Sequence, residues 1–156
     1  MEITSSHVFV PVIESKDYGS VGIDGDSINT GQLHRLAIAL TFGTITGDSV
    51  LTLYAGATAG AKTTALAFKY RTGSADFASA LADQLGAPAA VTSAGLTLTA
   101  ATFDHRLVTI DVDPSELPIN KPWLTLSISN VATVLNLGAI GVAETRYAGA
   151  TMPSVI

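Results

Sequence analysis

Cysteine is absent from this 156-residue chain, and charged residues are few. Without cysteine there are no disulfides, no thiolate metal ligands and no cysteine nucleophiles. The absence does not decide in which cellular compartment the protein works. Charged residues make up 13% of the chain against about 25% in an ordinary soluble domain, so Thr, Ser, Ala and Gly must form much of the surface. Such a surface tolerates close contact with neighbouring subunits.

Basic residues and long apolar runs are also scarce. Eight Lys and Arg face thirteen Asp and Glu, which gives a net charge of −5 and argues against nucleic acid or an anionic membrane as partner. Every apolar stretch is interrupted well before it reaches the length of a membrane-spanning helix, which is about 18–20 residues. The N-terminus lacks the basic start and apolar core of a signal peptide, so we expect the product to stay where it is made.

The dominant pattern in the sequence has period two. From Leu36 to Phe42 the large apolar residues occupy every second position, which places them on one face of a strand. About eight such runs alternate with turns rich in Gly, Pro, Asp and Asn. The chain is therefore predicted to be a single mainly β domain over 1–156, an antiparallel two-sheet sandwich of the jelly-roll type. The predicted core consists of Leu36, Ile38, Leu40, Phe42, Leu66, Phe68, Val108, Ile110, Leu124 and Leu126.

One segment follows a helical period instead. Phe77, Leu81 and Leu85 are spaced i, i+4 and i+8, with Ser74 available as N-cap and Gly86 available to end the segment. This spacing predicts one short helix near 75–85.

Two segments look peripheral, residues 14–32 and the tail, whereas His7–Ile13 is one of the predicted strands. An N-terminal segment, about 1–32, is expected to be extended, and the tail, about 146–156, is apolar where free tails are usually polar. The tail either folds against its own domain or docks on a neighbouring subunit. The candidate interface residues are Phe9, Val10, Val12, Ile13, Tyr147, Met152, Val155 and Ile156.

The run from Gly56 to Thr63 is close to the phosphate-binding Gly-x4-Gly-Lys-Thr loop. It has Ala61 where that loop has its second glycine, and the residues after it alternate like a strand, whereas the loop needs a helix N-terminus to hold phosphate. We expect a hairpin turn here, without nucleotide.

A tripeptide that resembles part of a hydrolase active site is better explained as a turn. Gly25-Asp26-Ser27 resembles a hydrolase nucleophile block, with Asp104-His105 as imaginable partners, but the same tripeptide recurs at Gly47-Asp48-Ser49. Recurrence in a second turn is typical of turn sequences. We therefore predict no catalytic residues and no enzyme activity.

No metal or cofactor site is predicted either. Asp24, Asp26 and Asn29 lack the closing glutamate of a calcium loop, and the three histidines His7, His34 and His105 are scattered over different elements. The aromatic residues Phe68, Tyr54, Tyr70 and Trp123 could line a sugar groove, but so few aromatics are more often core and interface anchors.

Taken together, the segment Leu51–Arg71, the Ala75–Leu85 segment, Pro122–Ile128 and Arg146-Tyr147 resemble small virion proteins of tailed bacteriophages, including capsid decoration and auxiliary head proteins. The resemblance implies a β-rich homo-oligomer, plausibly a trimer, that sits on the phage head in the virion and binds the major capsid protein. A non-enzymatic carbohydrate- or host-binding β-sandwich module is the alternative. No binding residue follows from the resemblance, because it has no diagnostic contact pattern.

Overall fold

Two antiparallel sheets face each other in the computed structural model, which describes residues 7–129 and 133–146 and the backbone of 154–155. In chain order the elements are β1 (His7–Asp17), β2 (Ile23–Asp24), β3 (Ser27–Asn29), β4 (Leu33–Thr46), β5 (Ser49–Gly56), β6 (Thr64–Leu66), β7 (Phe68–Thr72), β8 (Ala89–Val91), β9 (Leu96–Leu98), α1 (Ala100–Phe103), β10 (Leu107–Val112), β11 (Trp123–Ser129), β12 (Val134–Thr145) and β13 (Ser154–Val155). Sheet A has the order β1-β12-β4-β10-β7-β8, and sheet B has the order β13-β3-β11-β5-β6, with β2 paired to β11 and β9 to β5.

The strand order is that of a jelly roll. The principal strands in sequence are β1, β3, β4, β5, β6, β10, β11 and β12, and the chain crosses between the sheets at nearly every connection. The first principal strand lies beside the last in sheet A, and the second lies beside the last but one in sheet B, as two nested Greek keys require. The predicted sandwich is confirmed, with β7 to β9 inserted between two of its strands.

The core lies between the sheets and follows the period-two pattern. Nine of the ten predicted core residues are buried, and Leu66 is half-buried against the same cluster. Strand β4 shows the reason, because Leu36, Ile38 and Leu40 point inward while Ala37 and Ala39 between them face outward.

The short helix lies elsewhere than the sequence predicts. It is α1, which buries Phe103 against Phe42 and Tyr70 with ring centroids 6.4 and 6.2 Å apart. The helix expected near 75–85 is wrong. The N–H of Ser74 donates to the carbonyl of Gln84 at 2.8 Å, so the two ends of this segment meet. A helix of this length would hold them about 15 Å apart.

The N-terminal segment contributes strands to both sheets, so residues 14–32, which look peripheral in the sequence, include two strands of the sandwich. Strand β1 forms one edge of sheet A, and β2 and β3 pair with β11 in sheet B. Near the other end of the chain, Ser154 and Val155 pair with Ile28 and Ser27 of β3. The described backbone of the tail therefore lies on its own domain. No helix among the described residues is long and apolar enough to cross a membrane.

Candidate assembly surfaces

The outer face of sheet A has an apolar area on three neighbouring strands. Residue pairing aligns Phe9 with Val142 and Ala37 in one row, and Pro11 with Ile140 and Ala39 in the next. These six residues are called the apolar block: Phe9, Pro11, Ala37, Ala39, Ile140 and Val142. Phe9 and Ile140 are each 51% exposed. A cluster of large apolar side chains facing water marks an interaction surface more often than isolated ones do.

Strand β12 has its large residues on the solvent side in this region. Its inward positions Ala139, Gly141 and Ala143 are small and buried, while Ile140 and Val142 point outward. The inward space is already filled, because a Cβ on Gly141 would lie 3.3 Å from Ile28 Cδ1 and 3.4 Å from Leu36 Cδ1. The core therefore requires small residues on β12, but it does not explain the large apolar residues on the outer face.

Charged residues border the apolar block on one side. Asp111 pairs with Ala37 on one strand and with Lys69 on the other, and Thr109 pairs likewise with Ala39 and Arg71. A second charged border lies on β1, β12 and β4 themselves, where His7 pairs with Glu144 and Glu144 pairs with Arg35. The apolar block is therefore a small area with polar residues on two sides.

A second exposed apolar surface lies on residues 74–86, here called the excursion segment. Phe77, Leu81 and Leu85 are 49%, 50% and 40% exposed. The segment is held against the domain, because the N–H of Phe77 donates to the carbonyl of His105 at 3.0 Å and the N–H of Gly86 donates to Thr72 at 2.9 Å. Its apolar side chains are presented to solvent from a tethered backbone.

The predicted interface residues divide into three groups. Phe9 lies in the apolar block. Val10, Val12 and Ile13 are 3%, 3% and 6% exposed, so they belong to the core and are withdrawn as surface contacts. They point inward because these positions of β1 face the core between the two sheets. Val155 lies in β13, and the other three residues, Tyr147, Met152 and Ile156, fall outside the described residues.

Sequence reasoning missed Ile140 and Val142. The available signal is a change of phase in the alternation: Leu135 and Leu137 are two apart, but the next large residue is Ile140. From that point the large residues lie on the opposite face of the strand.

The loop that resembles a phosphate site is occupied by contacts within the chain. After β5 the chain continues through residues 57–63 into β6, a strand, as predicted. Lys62 Nζ donates to both carboxylate oxygens of Asp24 at 2.8 Å, and Ser127 Oγ donates to Asp24 Oδ1 at 2.6 Å. Burial raises the pKa of Asp24. The hydrogen bonds from Lys62 and Ser127 and the charge of Lys62 together outweigh this effect, so the pKa lies below its ordinary value.

Replacing Lys62 with alanine is expected to reduce the free energy of unfolding by less than about 1 kcal/mol at neutral pH, because the ion pair is largely exposed. The lowered pKa of Asp24 makes this contribution present above the unfolded-state pKa and lost as the pH falls through the folded-state pKa. Denaturant titrations of the wild-type protein and of Lys62→Ala at several pH values check this.

The loop is also expected to bind no nucleotide, so titration of the wild-type protein with ATP and Mg²⁺ should show no saturable binding. Micromolar binding that Lys62→Ala abolishes would contradict the interpretation.

The residues of the hydrolase-like motif, Ser27, Asp104 and His105, take part in contacts within the domain. Ser27 is buried, where its hydroxyl hydrogen bonds to Thr125 Oγ1 and accepts from the N–H of Gly60, both at 2.8 Å. Asp104 Oδ1 accepts from the N–H of Ile45 at 2.7 Å, and Asp104 Oδ2 lies 3.8 Å from His105 Nε2. Within the part of the chain that the structure describes, no three His, Asp or Glu side chains form a group that could hold a metal ion.

The comparisons with known proteins give distant likenesses. No family model and no curated protein matches the chain. Among solved structures, the chain is similar to the SPBc2 prophage-derived protein YomS, with 14% identity, 87% of this chain and 92% of that chain covered, and a TM-score of 0.44. It is also similar to a chain of infectious bursal disease virus, Gx strain, with 14% identity, 89% and 42% covered, and a TM-score of 0.25. This chain thus spans less than half of that viral chain.

Proposed function

We propose that this protein is a structural component of a phage particle that works by assembly, without catalysis. The main support is the presence of two exposed apolar surfaces on one jelly roll, the apolar block and the excursion segment. A bridging subunit needs two such contacts. The low proportion of charged residues suits this role, since charge is depleted from the cores of interfaces.

The partner proposed for the excursion segment is the major capsid protein, following the resemblance of the sequence to phage head proteins. Phe77 and Leu81 offer side chains that can enter a pocket of a shell subunit, the form that most interface anchors take. A protein that binds the assembled shell and not the separated subunits stabilises the assembled state by mass action. On this proposal the protein is made in the host cytoplasm, decorates the head as a homo-oligomer and ends in the virion.

A carbohydrate- or host-binding module is the second candidate, and one observation favours it. Trp123 and Tyr54 share the outer face of sheet B, as their pairing with Gly56 and Thr125 shows, and both are half-buried. Lys62 Nζ lies 5.8 Å from the centre of the Tyr54 ring. Aromatic faces beside polar groups are typical of ligand sites.

Replacing Phe77 with aspartate is expected to weaken binding to phage heads at least tenfold, because a carboxylate replaces an apolar anchor. Co-sedimentation of the purified protein with heads of the phage that encodes it, over a range of concentrations, measures this. Val21→Asp is the matched control, since Val21 is 61% exposed and lies outside both surfaces. If Val21→Asp loses as much head binding as Phe77→Asp, the added negative charge itself, and not the loss of an anchor, weakens binding. If the wild-type protein binds no head but a glycan, and Trp123→Ala abolishes that binding, the second candidate replaces the first.

A further inference from the structure

We infer that loop 57–63 closes a binding site for a neutral oligosaccharide on the outer face of sheet B. The inference goes beyond head binding and rests on the second candidate function, because it uses the same aromatic pair, Trp123 and Tyr54. Three observations support it: a layer of hydroxyl groups buried beneath the loop, the few contacts that hold the loop down, and the chemistry of the site when the loop is lifted.

A layer of hydroxyl groups lies on the outer face of sheet B. Strand β11 alternates, with its three large apolar residues in the core and with Thr125 and Ser127 on the outer face. Ser27 of β3 lies beside Thr125, and their hydroxyl oxygens are 2.8 Å apart. Although they face away from the core, Thr125, Ser27 and Ser127 are only 1%, 4% and 8% exposed. A face that is always covered gains stability from apolar side chains, so hydroxyls here indicate a face that also meets a polar ligand.

Loop 57–63 crosses this layer from β5 to β3. At its start, a Cβ on Gly56 would lie 2.1 Å from the carbonyl oxygen of Ala61, because the loop folds back closely over the sheet. The N–H of Gly60 donates to Ser27 Oγ at 2.8 Å, on the far side of β11. Thr125 lies on β11 between these two points, so the loop covers it.

Few contacts hold the loop in place. Its sequence, Ala-Thr-Ala-Gly-Ala-Lys-Thr, has no large apolar side chain, so the loop buries little apolar surface. It is fastened to the far strands by the hydrogen bond from Gly60 and by the ion pair between Lys62 and Asp24, which is largely exposed. An exposed ion pair contributes little to stability. Opening the loop therefore breaks two polar contacts and leaves the core of the sandwich intact.

The opened site matches a neutral sugar. The three hydroxyls of the layer both donate and accept hydrogen bonds, as the hydroxyls of a sugar do. Tyr54 pairs with Thr125, and Trp123 is two residues before Thr125 on the same face, so both rings border the layer. Aromatic rings take the apolar face of a sugar ring, while a few polar groups fix its orientation.

Opening the loop also changes the charge of the site. In the closed loop Lys62 Nζ lies 5.8 Å from the centre of the Tyr54 ring, so its departure frees this ring. The carboxylate of Asp24 then stays behind without its cation, in a chain of net charge −5. An anionic ligand is therefore disfavoured, and a neutral one is accepted.

The first experiment measures sugar binding by the whole chain and by two variants with a weakened loop. The probes are neutral oligosaccharides of glucose, galactose and N-acetylglucosamine, screened on an array and then titrated in a calorimeter. A ligand that needs the open loop binds more tightly when the open form is more populated. Lys62→Ala is therefore expected to bind the same sugar about threefold more tightly than the wild-type protein, and Gly56→Ala at least about tenfold.

Lys16→Ala is the matched control for the loss of a lysine. Lys16 also forms an exposed ion pair of 2.8 Å, with Glu14, but it lies on β1 in sheet A. This variant should bind the sugar with the affinity of the wild-type protein.

The second experiment locks the loop and makes use of the absence of cysteine from the chain. In a double variant that carries Asp24→Cys and Lys62→Cys, a bis-maleimide joins the loop to β2 in place of the ion pair. The linked protein is expected to bind no sugar, whereas the same variant capped with N-ethylmaleimide should bind it as Lys62→Ala does. Trypsin gives an independent measurement on the wild-type protein. A bound sugar should speed cleavage after Lys62, since it holds the loop open, whereas a ligand bound over a closed loop would slow it.

The outcomes separate the inference from the functions proposed above. Sugar binding that Trp123→Ala abolishes, but that is equal in the wild-type protein, Lys62→Ala and the linked protein, keeps the second candidate and overturns the inference. If neither the wild-type protein nor either loop variant binds any sugar of the array, the inference and the second candidate fail together, and head binding is still judged by Phe77→Asp. Should Gly56→Ala fail to fold, Lys62→Ala and the linked protein decide alone.

Discussion

Replacing Leu40 with alanine is expected to lower the free energy of unfolding by about 3–5 kcal/mol. Leu40 is fully buried in the middle of β4, where it pairs with Val108 on one side and Ala139 on the other. The truncation removes the transfer free energy of the deleted atoms and leaves a cavity that paired strands on both sides cannot close. Denaturant unfolding measures the change directly, and the melting temperature should fall by roughly 10 °C.

Leu66→Ala is the matched control, because Leu66 belongs to the same predicted core but is only half-buried on the short edge strand β6. Its effect should be less than half that of Leu40→Ala. If the two variants lose the same stability, the sandwich does not have its centre at β4 and the assigned strand order is in doubt.

Replacing Gly56 with alanine is expected to lower the free energy of unfolding by about 1–3 kcal/mol, as overpacking does. A Cβ at this position would lie 2.1 Å from the carbonyl oxygen of Ala61, so the loop 57–63 has to move away from sheet B. The movement would break the hydrogen bond of 2.8 Å from the N–H of Gly60 to Ser27 Oγ and the ion pair between Lys62 and Asp24. The loss is therefore larger than that expected for Lys62→Ala.

Limited trypsin digestion gives an independent measure of the Gly56 variant. Lys62 becomes accessible when the loop moves, so cleavage after Lys62 should be faster in Gly56→Ala than in the wild-type protein. Gly22→Ala is the control, since the nearest atom to its added Cβ is 3.4 Å away. Cleavage at the wild-type rate in Gly56→Ala would show that the loop accommodates the methyl group without leaving the sheet.

Period two in the sequence was enough to predict the sandwich and most of its core, because each alternating run has one face that only a second sheet can bury. The helix prediction failed for a physical reason that the sequence does not show. Asp76 Oδ1 accepts from the N–H of Ala78, and Ser79 Oγ accepts from the N–H of Leu81. Such local side-chain hydrogen bonds compete with helix formation, and the pairing of Gly73 with Leu85 fixes the ends together.

The candidate surface was only partly predictable, because it depends on contacts between distant strands. The sequence predicts Phe9 at an interface, within an extended N-terminal segment. Its neighbours Ile140 and Ala39 are distant in sequence and become adjacent only through the order β1-β12-β4. Alternation gives the face of each residue within its own strand, but it does not say which strands lie side by side.

The pairing of β1 with β12 also affects how the protein is made. His7 pairs with Glu144, so β1 stays without part of its partner strand until the ribosome has reached Glu144. At about 5–20 residues per second, a ribosome needs on the order of ten seconds to supply that partner. During this interval β1 stays exposed, and sheet A cannot close around β4. Closure of sheet A is therefore expected to be slow, because its decisive contacts join residues far apart in sequence.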